Sequence, residues 1–301
     1  MALSIHTNYS ALTTNTALNK SNNALATNQQ RLGTGLRINS AADDAAGLQI
    51  ATRLNAQSRG MGVAMRNIGD SVSLLQTAEG ALSEMTDIVQ RMKDLATQAA
   101  NGTNSEADRD SLQGEYDQLG SELANIFKNT KYAGENLFTA DGTAVTAAGK
   151  FGTTGGVDFQ IGASAEETLT LDASTNVGTL ATDLGAISGF FAAAVPAAAG
   201  TEIAGTDGSA ANGAITDLST ALDTIGTLRA QFGANINRLN HTSNNLANMK
   251  DNTEMAKGRI MDADFAVESA NMSKNSMLMQ SGISMLKQAG QMPGMVMGLL
   301  G

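Results

Sequence analysis

Residues 61–96 read "MGVAMRNIGDSVSLLQTAEGALSEMTDIVQRMKDLA", and an apolar residue recurs at every seventh position of this stretch. A seven-residue apolar repeat sustained this long predicts a long helix that lies side by side with other helices. The whole chain has only two prolines, so long helices are permitted. The repeat consists of Met61, Ile68, Leu75, Leu82, Val89 and Ala96, with Met85, Met92 and Ala99 three residues after its later members.

A second repeat of the same period lies in the C-terminal half, where the helical pattern returns near Gly213. Between the two repeats, Ser105 and Asp108 have the Ser-x-x-Asp form of a capping box, which predicts the start of a third helix. Burial of each repeat residue contributes about 1.5–3 kcal/mol, enough to hold a central bundle together. The C-terminal repeat is Leu218, Ile225, Phe232, Leu239 and Leu246, and the stripe of the third helix is Leu112, Tyr116, Leu119, Leu123 and Ile126.

The two ends of the chain carry further repeats but few charges. Residues 1–42 contain no Asp or Glu, and Lys287 is the one charged residue after position 275. The final helix has two apolar seams, so a single partner helix cannot cover it. We expect the N-terminal helix and other copies of the chain to cover it together. The predicted assembly seams are Leu18, Leu25 and Leu32 in the first helix and Leu278, Met285, Met292 and Leu299 in the last, whose other seam is Phe265, Met272, Met279 and Leu286.

The connector "GTGLRINSAADD", residues 33–44, interrupts the helices near the N-terminus. The second helix is predicted to begin at Asp43, because Ser40 and Asp43 match a capping box and the acidic pair Asp43 and Asp44 favours a helix start.

The middle of the chain changes to a period of two, which predicts a β-hairpin in "VDFQI" and "ETLTLD". Residues 176–211 are rich in Ala, Gly and Thr and are predicted to be loop. The fold class is therefore mainly α: a long helical bundle or coiled coil made by pairing the N- and C-terminal halves, with a β-hairpin region in the middle. The expected domains are residues 1–42 plus 260–301, residues 43–175 plus 213–259, and a short variable loop region at 176–212.

Composition excludes several classes of protein. The net charge of −10 argues against nucleic-acid binding, and the absence of cysteine excludes disulfides and thiolate metal sites. No apolar run is long enough to span a bilayer, so no membrane insertion is expected. The first residues, "MALSIHTNYSAL", lack the basic and apolar regions of a cleavable signal peptide.

Motifs for catalysis or cofactor binding are absent from the sequence. The two histidines, His6 and His241, are far apart and outside any HExxH motif. The glycine-rich "GKFGTTGG" precedes a predicted strand rather than a helix, which argues against a phosphate-binding loop. Asp43 with Asp44, and Asp262 with Asp264, are interpreted as helix-start and surface charges rather than metal ligands. The methionines after Met261 are interpreted as packing residues rather than a copper site. We therefore predict no catalytic, metal-binding or cofactor-binding residues.

Three stretches resemble bacterial flagellin, the subunit of the flagellar filament. They are "QRLGTGLRINSAADDAAGLQIA" at residues 30–51, "QRMKDLATQAANGTNS" at residues 90–105, and "RIMDADFAVESANMSKNSML" at residues 259–278 together with the ending "GLLG". The resemblance covers about residues 1–175 and 213–301, and it is specific because both ends of the chain carry it independently. Residues 176–211 fall where flagellins vary, so the chain resembles a compact flagellin.

The resemblance implies a structural subunit that polymerises into the flagellar filament for swimming motility. It implies an inner layer of terminal helices, unfolded export through the type III apparatus, and an extracellular location. It also implies an export chaperone on the C-terminal segment and contacts with hook-associated and cap proteins. Two alternatives remain at this point: a hook–filament junction protein, which shares the terminal helices, and an enzyme-bearing flagellin, against which the missing HExxH argues.

The resemblance further implies recognition by innate immune receptors. For the animal Toll-like receptor for flagellin, the family's contact pattern falls on Gln90, Arg91, Leu95 and Glu115. For the plant flagellin-receptor kinase, it falls on Gln30, Arg31, Arg37, Ile38, Asn39, Asp43, Asp44, Gly47 and Leu48.

Overall fold

The computed structural model describes residues 8–139, 149–192 and 200–300, with the side chains of residues 192 and 292–300 outside the description. These residues form helices and short strands in the chain order that follows. The elements are α1 (Tyr9–Thr34), α2 (Ala45–Ala99), α3 (Glu106–Asn129), β1 (Lys131–Tyr132), β2 (Glu135–Asn136), β3 (Val157–Gln160), β4 (Thr168–Leu171), α4 (Ser174–Ile187), α5 (Gly189–Ala192), α6 (Ser209–Met261) and α7 (Phe265–Leu300). The predicted fold class, mainly α with a central β-hairpin, is confirmed.

The chain forms two compact units. One comprises Met1–Arg59 with Lys250–Gly301, and the other comprises Gly60–Met249. Helices α2 and α6 each contribute residues to both units. The division falls inside these helices, whereas the boundaries expected from the sequence lie near the start of α2 and the end of α6.

The core of the second unit is built from the two seven-residue repeats. The α2 repeat is buried throughout, with no member more than 2% exposed, and the flanking Met85, Met92 and Ala99 are equally buried. The α6 repeat is also buried, from Leu218 to Leu246. The repeat positions predicted to face other helices are therefore confirmed.

Helix α3 starts as the sequence predicts. The Ser105 hydroxyl oxygen accepts a hydrogen bond from the Asp108 amide at 3.3 Å, and the Asp108 carboxylate accepts one from the Ser105 amide at 3.0 Å. Tyr116 and Leu123 are fully buried in its apolar stripe. The other stripe residues are half-buried against the same core: Leu112, Leu119 and Ile126.

The predicted hairpin is confirmed as β3 paired antiparallel with β4, with Phe159 opposite Leu169 and Val157 opposite Leu171. The sequence did not predict a second, shorter hairpin between β1 and β2. Its two-residue turn places Ala133 at φ 52° and Gly134 at φ 87°. Both residues in the left-handed region match the tight turns that suit hairpin twist.

The prediction that residues 176–211 form a loop is wrong over residues 176–187 and 189–192, because α4 and α5 occupy them. Val177, Leu180, Leu184 and Ile187 are buried along one face of this helix. Their spacing of three, four and three residues is helical, but the surrounding Ala, Gly and Thr residues obscure it. Helix α6 also starts earlier than expected, at Ser209.

In the first unit, α1 packs antiparallel against α7. The Asn8 side-chain amide donates to the Ala289 carbonyl at 2.7 Å near one end, and Arg31 pairs with Glu268 at 3.1 Å near the other. The connector between α1 and α2 also joins the end of α6, since the Arg37 amide donates to the Met261 carbonyl at 2.6 Å.

The predicted start of α2 at Asp43 is wrong by two residues, because the helix begins at Ala45. The Asp44 carboxylate accepts from the Gly47 amide at 2.8 Å and so caps the first turn. The Ser40 and Asp43 contacts instead close the preceding turn, with the Ser40 amide donating to Asp43 at 2.9 Å.

Candidate assembly and recognition surfaces

The exposed apolar surface of α7 lies beside the stripe that faces α1. Leu278 and Met285 are 49% and 57% exposed, and each directly precedes a half-buried residue, Met279 or Leu286. Because consecutive helical residues are 100° apart, Leu278 and Met285 lie on one side of the buried stripe. Leu278 and Met285 are thus uncovered, as the two-seam pattern requires.

The opposite side of the same stripe is also apolar and exposed. Phe265 and Ile283 are 59% and 42% exposed, and they are 18 residues apart, which is five helical turns. The sequence pattern placed Phe265 in a covered seam and did not single out Ile283. Helix α7 therefore presents apolar side chains on both sides of its contact with α1.

A groove runs between α1 and α7 on the Leu278 side. It is lined by Ala17, Leu18, Leu278 and Met285, among others. Gly282 forms part of its floor, where a Cβ atom would lie 3.1 Å from the Leu18 side chain. The predicted N-terminal seam residues Leu18, Leu25 and Leu32 are half-buried, while the side chains of Met292 and Leu299 lie outside the described residues.

The residues expected to contact the animal receptor divide between surface and core. Arg91 donates from Nε and Nη2 to Glu115 Oε1, at 2.9 and 2.6 Å, and joins α2 to α3. The two side chains are 54% and 46% exposed, and Gln90 is exposed beside them. Leu95, by contrast, is 1% exposed in the core of the bundle. The surface presented is therefore Gln90, Arg91 and Glu115, with Leu95 beneath it.

The residues expected to contact the plant receptor are largely engaged within the first unit. Arg31 is paired with Glu268, and the Arg37 guanidinium donates to the Ile260 carbonyl at 2.9 Å. Ile38 is 1% exposed. Gln30 at the end of α1 is exposed.

The carboxylates of this segment cap local turns. Asp43 accepts from the amides of Asn39 and Ser40, and these hydrogen bonds lower the pKa of its carboxyl, the Asn39 bond most strongly. Gly47 is buried, and a Cβ atom at this position would meet the Asp44 carboxylate and the Ile38 side chain. Leu48 is half-buried. The segment is thus folded and partly hidden in the subunit.

Two of the features considered for chemistry, Asp264 and the glycine-rich stretch at Gly149, have structural roles. The Asp264 carboxylate accepts from the Ala266 and Val267 amides and caps α7. Gly149 packs against the main chain of residues 137–139, which leaves no space for a Cβ atom. His241 is exposed on α6, and His6 lies outside the described residues. Across the described ranges, no group of three His, Asp or Glu residues is placed to hold a metal ion.

The sequence did not reveal a buried polar cluster that attaches residues 200–206 to α3. Gln113 donates to Asp117 at 2.7 Å and to Glu202 at 2.8 Å, and its carbonyl oxygen accepts from the Ile203 amide at 2.7 Å. Gln113 and Glu202 are 89 residues apart in sequence, so no local pattern connects α3 to this segment. Among the described residues, no helix has the length and apolarity required to cross a bilayer.

The protein consists of long paired helices, and its terminal helix exposes apolar surface. Some of its polar groups are used for capping. These features define a helical protein suited to self-assembly. The chain belongs to the bacterial flagellin family: residues 5–143 match the bacterial flagellin N-terminal helical region, and residues 215–300 match the C-terminal helical region. It is 36% identical to flagellin A of Vibrio anguillarum and 35% identical to polar flagellin C of Vibrio parahaemolyticus serotype O3:K6 (strain RIMD 2210633), in each case over the full length of both chains.

The fold also resembles a structure assigned to a flagellar hook-associated protein from Vibrio parahaemolyticus, with a TM-score of 0.57 over 73% of this chain and all of that chain. The sequence identity is 15%, so this likeness concerns the fold alone. The full-length flagellin relatives identify the protein as a structural subunit of the bacterial flagellar filament.

Proposed function

We propose that the apolar sides of α7 and the groove between α1 and α7 form the surface through which one filament subunit contacts others. The observation that carries this proposal is the exposure of Leu278 and Met285 on a helix whose neighbouring face already packs against α1. Apolar side chains at this spacing favour contact with another helix. In a homopolymer, that helix belongs to a second copy of the chain.

The test is a double substitution, Leu278→Ser with Met285→Ser, in the full-length subunit. Burial of each half-exposed side chain in an interface contributes about 1–1.5 kcal/mol, so the critical concentration for polymerisation should rise roughly 30- to 150-fold. Met255→Ser is the matched control, because Met255 is 55% exposed on α6. Sedimentation of polymers measures the effect. Equal critical concentrations for the double variant and the wild type would reject the proposed surface.

We also propose that an export chaperone and the proteins at the filament ends bind this surface. An export chaperone that covers the apolar sides of α7 would prevent premature association, and hook-associated and cap proteins would meet equivalent surfaces at the filament ends. The cysteine-free sequence is compatible with unfolded type III export to an extracellular filament. The charge-poor residues 1–42 and 276–301 support an inner position for these segments in the filament.

We further propose that Gln90, Arg91 and Glu115 form the contact for the animal flagellin receptor. An exposed ion pair contributes little to stability, about 0–1 kcal/mol, so a partner can engage it at small cost to the fold. Arg91 offers a planar donor fork suited to a protein interface. Leu95 contributes by supporting this surface from the core.

Receptor binding by the monomer tests this proposal. Arg91→Ala should weaken the affinity by at least about tenfold, while Arg66→Ala, at another exposed position of α2, should not. Unchanged affinity for Arg91→Ala would exclude the assigned contact. Leu95→Ala is a poor probe, because its burial makes loss of stability the expected result.

For plant recognition, we propose that residues 30–51 bind the flagellin-receptor kinase after release from the folded subunit. The burial of Ile38 and the ion pair of Arg31 support this order of events. A synthetic peptide of these residues should cause an oxidative burst in receptor-bearing leaves and none in receptor-null leaves. Asp43→Ala with Asp44→Ala should remove most of the response. Equal responses in both kinds of leaf would exclude the proposal.

A further inference from the structure

Methionine supplies all the sulfur in this chain. The sequence has 15 methionines, no cysteine and no tryptophan, so methionine thioethers are its main sites of reaction with peroxide. Exposure differs sharply among them: Met61, Met85 and Met92 are at most 1% exposed in the core, whereas Met285 is 57% exposed on α7. A peroxide therefore reaches Met285 in the folded subunit and is excluded from the core methionines.

Met285 also lies where a change in polarity would have a large effect. It lines the groove with Leu18 and Leu278, and Gly282 brings the two helices close together one turn earlier. An apolar helix of another subunit placed there would cover the Met285 thioether. A sulfoxide at the same position would bring a strong hydrogen-bond acceptor into apolar surroundings, which is unfavourable without a donor.

We propose that Met285 is an oxidation site at which peroxide controls addition of the free subunit to the filament, an inference that rests on the proposed assembly surface. Hydrogen peroxide transfers one oxygen atom to the thioether sulfur, its O–O bond breaks, and the second oxygen leaves as water. The sulfur loses two electrons and the peroxide gains them. A methionine sulfoxide reductase reverses the change. Once a subunit is assembled, its Met285 is covered and protected.

The experiment treats full-length monomers with hydrogen peroxide before polymerisation. Wild type, Met285→Leu and Met255→Leu are compared, since Leu preserves the volume of Met and cannot form a sulfoxide. Met255 is the control because its exposure, 55%, nearly equals that of Met285. Mass spectrometry measures sulfoxide at every methionine, and sedimentation measures the critical concentration.

Relative to its own untreated sample, each of wild type and Met255→Leu should show a rise of about tenfold in critical concentration after treatment. Met285→Leu should show no rise relative to its own untreated sample. Treatment with methionine sulfoxide reductase should restore polymerisation of the wild type. Normal polymerisation by wild type that carries sulfoxide at Met285 would overturn the inference, as would equal inhibition of Met285→Leu.

Untreated Leu278→Ser separates this inference from the assembly surface on which it rests. If Leu278→Ser prevents polymerisation while oxidation of Met285 does not, the surface stands and the oxidation site is rejected. If neither change affects polymerisation, both are rejected.

Discussion

Arg109 is a buried residue on which the local structure of the second unit depends. It is 3% exposed and donates to four main-chain carbonyls: Ala99 at 2.9 Å, Asn101 and Thr206 at 3.3 Å, and Gly205 at 3.4 Å. It therefore satisfies carbonyl groups at the end of α2 and in the segment before α6. Arg109→Ala should reduce the free energy of unfolding by about 3 kcal/mol, because buried acceptors lose a charged donor. Urea denaturation of the monomer measures this loss.

Arg66→Ala provides the comparison for this prediction. Arg66 is exposed on α2 in the same unit, so its removal should change the free energy of unfolding by no more than about 0.5 kcal/mol. Equal effects of the two substitutions would contradict the role assigned to Arg109.

Tyr116 should make the stability of this unit sensitive to alkaline pH. Its hydroxyl donates to the Ile187 carbonyl at 2.7 Å, and burial, with the nearby Glu202, Asp217 and Asp117, raises the pKa of the phenol well above its ordinary value of 10. The folded state therefore keeps this proton at a pH where the unfolded chain releases it. The contribution of protonated Tyr116 to the free energy of unfolding is intact below the pKa that this phenol has in the unfolded chain. It declines as the pH rises above that pKa.

Tyr116→Phe removes that titration. The stability advantage of the wild type over this variant should shrink by about 1 kcal/mol between pH 10 and pH 11. Urea denaturation at pH 9, 10 and 11 measures the two curves. A difference that stays constant over this range would show that Tyr116 titrates normally in the fold.

At the scale of elements, burial of the α2 repeat predicts that a charged residue at a repeat position unfolds the bundle. Leu75 is fully buried, and Leu75→Asp places an unpaired carboxylate in the core at a cost of several kcal/mol, which should unfold the bundle. Gln76→Asp introduces the same residue at the adjacent exposed position, where only helix propensity changes, by less than about 1 kcal/mol. Thermal melts followed by circular dichroism compare them, and identical melting temperatures would refute the assigned seam.

Elements built from local patterns could be predicted from the sequence. Leu75 and its fellow repeat residues were predictable because coiled-coil packing imposes a seven-residue period directly on the chain. Helix α4 was missed because Val177 and Leu180 are its first apolar residues in a stretch otherwise rich in small residues. The contact between Gln113 and Glu202 could not be predicted, because the tertiary fold alone brings α3 to the segment before α6.

The sequence predicted some residues of the candidate surfaces and missed others, as it did for the elements of the fold. The two seams of α7 predicted the exposure of Leu278 and Met285, since one partner helix covers only one side. The pattern did not reveal Ile283, because this residue belongs to neither seven-residue seam of α7. It also did not separate Leu95 from Arg91, because family resemblance gives positions in the chain and not their depth below the surface.

At the scale of the whole molecule, the two compact units differ in how their apolar surface is used. The second unit encloses its repeats in its own core. The first unit leaves Leu278 and Met285 uncovered on α7. For a filament subunit, this division predicts that the second unit folds without the contacts that assembly adds to the first.

Truncation of the chain before Met285 tests this division. Deletion of residues 285–301 removes the end of α7 and leaves every residue of Gly60–Met249 in place. Polymerisation should be abolished, while the bundle should keep the melting temperature that it has in the full-length chain. Sedimentation and electron microscopy measure the first outcome, and circular dichroism measures the second. Helical signal should fall only in proportion to the residues removed.

A mixing experiment provides the control for the truncation. Wild-type filament seeds should elongate with full-length monomers and fail to elongate with truncated monomers, because the truncated chain lacks the apolar surface that an incoming subunit must bury. Truncated chains added to full-length monomers should remain in the supernatant. Normal filaments from the truncated chain would show that α1 and the second unit supply the essential contacts, and a lowered melting temperature of the bundle would show that the two units depend on one another for stability.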